Sequence, residues 1–151
     1  MKGGGRKGKG TTENVRVVVR LRPLSGAERE LGEEEIVSVG SDKSSIKVLL
    51  PDGEDYAGNV RNTVKSFPLD GCLDKDSTQE AVFNESGVIP LLNSALEGFS
   101  ATVFAYGQTG SGKTYTVAGI NPDCDWDAYS QDAFDGVIPR AIRYIFDQVE
   151  P

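Results

Sequence analysis

Gly107-Gln108-Thr109-Gly110-Ser111-Gly112-Lys113-Thr114 spells out the pattern GxxxxGK[ST]. In such a pattern the glycines let backbone N–H groups curl around phosphate oxygens, the lysine supplies a cation, and the hydroxyl can reach a Mg²⁺ ion. The chemistry implied is the binding of a nucleoside triphosphate. For the pattern to work, the loop must leave a strand and enter a helix. Ala101-Thr102-Val103-Phe104-Ala105-Tyr106 is a short apolar, partly β-branched run that predicts a buried strand, and after Gly112 no breaker occurs until Gly119, which predicts the helix.

The elements that must position this loop lie within 151 residues, enough for one domain or part of one. A hydrophobic content of 38% suits a packed core. The net charge of −7 argues against a nucleic-acid-binding body. Residues 1–13, with Lys2, Arg6, Lys7 and Lys9 among glycines, predict a flexible basic leader. That leader lacks the apolar centre of a signal peptide, and no apolar run approaches a bilayer-spanning length, so an intracellular chain with no membrane insertion is expected. Cys72 and Cys124 stand far apart, without a CxxC pair and without any histidine, so neither a zinc site nor a disulfide framework is expected.

Taken in order, Asn14 to Pro23 predicts a largely buried strand, with Val15, Val17, Val19 and Leu21 on one face and Pro23 ending the ladder. From this segment alone, Arg20 and Arg22 read as solvent-facing residues of a strand end. Ser25 to Glu35 predicts a loop or a short frayed helix. Ile36–Val39 and Ser45–Leu50 predict two strands joined by a turn at 40–44; Pro51-Asp52-Gly53 predicts another turn, and Asn62 to Leu69 a third strand. Ser77-Thr78-Gln79-Glu80 has the form of a capping box with Ser77 as the cap, opening one helix that is kinked by Gly87 and Pro90 and ends at Gly98. An acidic insertion at 121–135 contains Asp-x-Asp-x-Asp, but Ala128 and Phe134 occupy the glycine and glutamate positions of a calcium loop, and a solvated loop is expected. Val137, Ile138, Ala141, Ile142, Ile145, Phe146 and Val149 then recur at helical spacing, with Pro139 near the start.

Together these pieces resemble the kinesin motor domain: Arg20-Leu21-Arg22-Pro23 after the first strand, Ser77-Thr78-Gln79-Glu80 at a helix start, Phe104 to Thr116 around the glycine loop, and Gly136-Val137-Ile138-Pro139-Arg140-Ala141 after the insertion. The resemblance covers residues 14–151 and implies an α/β fold, a P-loop NTPase-type three-layer sandwich, of which this chain carries the N-terminal part with a small peripheral antiparallel subsheet. By the same resemblance, Arg20, Arg22, Pro23 and Tyr115 border an adenine. Gly107, Gln108, Thr109, Gly110, Ser111 and Gly112 cradle the phosphates, Lys113 contacts the β- and γ-phosphates, and Thr114 ligates Mg²⁺. The implied ligands are ATP and Mg²⁺, the implied partner is the microtubule (tubulin), and the implied location is the cytoplasmic cytoskeleton.

The sequence also departs from the family pattern. Phe99-Ser100 stands where many members carry tyrosine and asparagine, and no segment resembles the switch I pattern Asn-x-x-Ser-Ser-Arg or the switch II pattern Asp-x-x-Gly-x-Glu. No catalytic residue is therefore assigned, and the expectation is an ATP-binding portion without efficient turnover. A non-catalytic interaction module and a different P-loop NTPase remain open alternatives on these residues. A buried strand at 101–106 also needs neighbours, so exposed apolar faces are expected where the chain supplies none.

Overall fold

The computed structural model describes residues 15–54, 60–119 and 134–149. The basic leader, Cys124 and nearly all of the acidic insertion lie outside the described residues.

The first strand, β1 (Val18–Arg20), is shorter than its apolar pattern predicts, and Val15 and Val17 are exposed. Its length follows its partner. β1 pairs in parallel with β5 (Gly71–Leu73), Val18 opposite Gly71 and Arg20 opposite Leu73. The register is locked at both ends: Val17 N donates to the Asp70 carboxylate at 2.7 Å and Leu21 N to Leu73 O at 2.9 Å. Between them, α1 (Gly26–Glu30) is a single turn and a half with a complete capping box, in which Ser25 Oγ accepts from Glu28 N and Ser25 N donates to the Glu28 carboxylate.

The predicted subsheet is present. β2 (Val37–Val39), β3 (Ser45–Glu54) and β4 (Val60–Pro68) form an antiparallel three-stranded sheet in that order. The turn predicted at Pro51-Asp52-Gly53 is instead part of β3, with a register shift between Pro51 and Glu54. Proline is tolerated there because Leu49 N donates toward β2, to Ile36 O. Pro51 has the same parity, so its missing donor would face the side on which β2 has already ended.

Two corrections concern the helix after β5. Its cap is Thr78, whose hydroxyl accepts from Ala81 N at 3.1 Å, and not Ser77. Ser77 belongs to the preceding turn: its N–H donates to Asp74 O and its carbonyl accepts from Arg20. The single kinked helix is in fact two, α2 (Gln79–Glu85) and α3 (Val88–Leu96), separated by Gly87 in the left-handed region at φ 90°. A side chain there would also collide with Arg16 Cδ, 2.9 Å from the added carbon. Pro90 then falls in the first turn of α3, where its missing N–H costs no ladder bond. The helix stops near Gly98, as predicted.

Residues 101–108 differ most from expectation. They belong to no strand, and Phe104 and Tyr106 are 78% and 96% exposed. Apolar, β-branched residues favour the extended chain, but a strand exists only through its neighbour's hydrogen bonds, and no described segment pairs with this one. Downstream, α4 (Lys113–Val117) follows the glycine loop and α5 (Val137–Val149) follows the insertion.

The core is small. Leu73, Val82, Phe83, Val88 and Val137 are buried together, with Val18, Ile89, Leu92, Ala141 and Tyr144 packed around them. It therefore lies where β1 and β5 meet α2, α3 and α5. Only one edge of the apolar arc of α5 enters it, and Ile138, Ile142, Phe146 and Val149 remain exposed.

Candidate nucleotide-binding site

The glycine loop is held by local bonds and keeps its turn without a strand before it. Ser111 N donates to Gln108 O at 3.2 Å, and Gly112 occupies the position before the helix at φ 93°. A β-carbon at Gly107 would lie 2.5 Å from Ser111 Oγ, so glycine leaves the loop interior open. Lys113 Nζ lies across this loop, donating to Gly107 O at 2.8 Å and Gln108 O at 2.7 Å. Gln108, Thr109 and Gly110 are exposed at the loop tip, and Thr114 on α4 is exposed as well.

Beside the loop opens a pocket of about 560 Å³, walled by Arg20, Arg22, Pro23, Ser111, Gly112 and Tyr115, with further contributions from residues 75–79. The structure thus brings together two groups that the sequence separates by some ninety positions, the strand-end segment Arg20–Pro23 and the loop-helix segment Ser111–Tyr115.

The two arginines of that segment behave differently. Arg20 is half-buried and turned into the protein: Nη1 donates to Gln79 Oε1 at 3.0 Å and Thr116 Oγ1 at 3.1 Å, and Nη2 to Ser77 O at 3.0 Å. Its guanidinium sits over the Tyr115 ring, 5.0 Å from the centroid. Burial pulls its pKa below the ordinary value, with Tyr115 opposing the shift. Arg22 faces solvent and is gripped by the Glu28 carboxylate through contacts of 2.6 and 2.9 Å, which raises its pKa.

Glu28 and Gln79 were not singled out from the sequence. Glu28 could have been found from Ser25-Gly26-Ala27-Glu28, itself a capping-box pattern. Gln79 has a fainter signal, a polar residue on the inner side of a first helical turn. The Glu28 carboxyl is held down to about 2, first by the Arg22 hydrogen bonds and then by Ser25. Since the folded value lies below the ordinary 4.5, the stabilisation by this pair is fully present above pH 4.5 and is lost as pH falls towards 2. The carboxyl carbon of Glu28, followed by NMR, is expected to titrate with a midpoint near 2; a midpoint in the ordinary glutamate range would mean that the Arg22 pair does not hold in solution.

Among the described residues, no group of three or more His, Cys, Asp or Glu could hold a metal ion. Thr114 offers one neutral oxygen. Such a donor set does not fit a resident ion but does fit Mg²⁺ carried in on phosphates, since this ion keeps several waters and relies on substrate oxygens. No helix of the described residues is long and apolar enough to cross a membrane.

Residues 20–151 match the family model of the kinesin motor domain. The chain belongs to this family. It is 35% identical over 137 residues to the kinesin-like protein KIN-5B of Arabidopsis thaliana, covering 91% of this chain and 12% of that protein. To the kinesin-like protein KIF3C of Mus musculus it is 38% identical over 138 residues, covering 91% of this chain and 16% of that protein. The solved structure of a fast kinesin superposes with a TM-score of 0.69 at 32% identity, over 88% of this chain and 32% of that one. The fold is accordingly the mixed α/β arrangement of the kinesin motor domain, consistent with a P-loop NTPase-type fragment, and family membership removes the different-NTPase alternative. This kinesin chain spans only 12% to 16% of the length of the curated relatives named here.

Proposed function

We propose that the chain is the ATP-binding portion of a microtubule motor. The observation that carries this reading is the junction of Arg20–Pro23 with Ser111–Tyr115 around one pocket that adjoins the glycine loop and Lys113. Adenine would lie on the Tyr115 face opposite Arg20, bordered by Arg22 and Pro23. The triphosphate would run into the loop of Gly107, Gln108, Thr109, Gly110, Ser111 and Gly112, whose N–H groups and Lys113 spread its charge. Mg²⁺ would bridge phosphate oxygens and take Thr114 as its protein ligand.

In a complete motor, switch segments orient the attacking water and report the γ-phosphate to the track-binding surface. Neither switch pattern occurs in this sequence. The chain alone therefore binds MgATP without motor-like turnover. Membership of the kinesin family favours a cytoplasmic, microtubule-associated setting for the whole protein. Calorimetric titration of the purified chain is expected to show MgATP binding, while phosphate release stays unstimulated by added microtubules. Absence of nucleotide binding would overturn the first half of the proposal, and microtubule-stimulated turnover the second.

A further inference from the structure

Gln79 is the one buried polar residue among those described, 2% exposed at the first turn of α2. Burying an amide costs free energy unless both of its ends are hydrogen-bonded. Here both are. Oε1 accepts from Arg20 Nη1 at 3.0 Å and Nε2 donates to Tyr115 O at 2.7 Å, so one side chain joins the end of β1 to α4. Arg20 in turn lies over the Tyr115 ring and is fixed by Thr116 Oγ1 and Ser77 O.

α4 itself is a five-residue helix with no side-chain cap. Its tie to Arg20 and Gln79 fixes where the Tyr115 ring stands against the pocket. The phosphate half is built differently, from bonds inside the loop and from Lys113 to Gly107 O and Gln108 O. Gln79 touches none of those atoms.

Resting on the nucleotide-binding reading above, we propose that Gln79 is a positioning residue for the base: it sets the Tyr115 platform through Arg20 and through the Tyr115 carbonyl, and it acts on the base half of the site alone. A residue that merely holds the fold together would influence both halves.

The test compares two ligands, MgATP and inorganic tripolyphosphate with Mg²⁺, which carries the phosphates without a base. In Gln79→Met, of similar length but without the amide, MgATP affinity is expected to fall about tenfold, while tripolyphosphate affinity stays within about twofold of the unsubstituted chain. Thr116→Val removes the other side-chain acceptor of Arg20 and leaves the amide in place; it is expected to show the same selectivity with a loss of about threefold. Parallel losses for both ligands in both variants, or no change in MgATP affinity in either, would overturn the positioning role. If the unsubstituted chain binds neither ligand, the nucleotide-binding reading itself fails, a result visible before any variant is made.

Discussion

Lys113→Ala is expected to weaken MgATP binding by about a hundredfold or more. The ammonium spans the mouth of the glycine loop, 2.8 Å from Gly107 O and 2.7 Å from Gln108 O, where its third donor, and the other two once they leave those carbonyls, can reach phosphate oxygens. A hydrogen bond to a charged group contributes about 1.5–3 kcal/mol, and loss of one or two such bonds corresponds to about one to several orders of magnitude in affinity. The carbonyls left behind lie at a loop open to solvent, so the substitution should cost little stability. Thermal melts separate the two effects. Without ligand the variant should melt near the unsubstituted chain, and with saturating MgATP it should lack the stabilisation that a ligand bound to the folded state confers. Undiminished affinity in Lys113→Ala would place the nucleotide somewhere other than this loop.

Phe83→Ala is expected to have the largest effect on stability. Phe83 is 7% exposed in the middle of α2, packed within the core cluster and set edge-on against Tyr144 with centroids 6.3 Å apart. Removing a buried phenylalanine costs about 3–5 kcal/mol, and losing the aromatic pair adds about 0.5–1.5 kcal/mol. Against a total stability of about 5–15 kcal/mol for an ordinary domain, and with few fully buried side chains here, that loss should abolish a cooperative transition in urea followed by circular dichroism. The control is Phe104→Ala. Phe104 is the same residue type but 78% exposed, so its replacement should change stability by less than about 0.5 kcal/mol. Comparable losses in the two variants would show that Phe104 is covered in solution and that the core extends to the glycine-loop segment.

These two phenylalanines also mark where sequence reading succeeds and where it fails. Phe83 stands in a helical apolar pattern, and its burial follows because α2, α3 and α5 are local elements that find one another within the chain. Phe104 stands in an equally convincing strand pattern, yet the run stays unpaired. A helix satisfies its backbone within itself, so periodicity and caps announce it; a strand must borrow its hydrogen bonds from elsewhere. The errors at Ser77 and at Pro51 are smaller cases of the same kind. Both residues follow good local rules, but an Arg20 contact and an early end to β2 decide which rule applies.

Local patterns along the chain were enough to announce the glycine loop with Lys113 and Thr114, the existence of α5 and of the antiparallel subsheet, and the resemblance to the kinesin motor domain. All of these are short-range patterns, since the loop's bonds join residues fewer than seven positions apart and the subsheet is built of neighbouring strands. The roles within Arg20-Leu21-Arg22-Pro23 follow from tertiary contacts, which turn Arg20 inward over Tyr115, pair Arg22 with Glu28 and bring Gln79 to the pocket wall. Arginine can point outward from a strand end or inward as a clasp with equal local ease. Which one occurs depends on acceptors 57 to 96 residues away, and no periodicity along the chain encodes them.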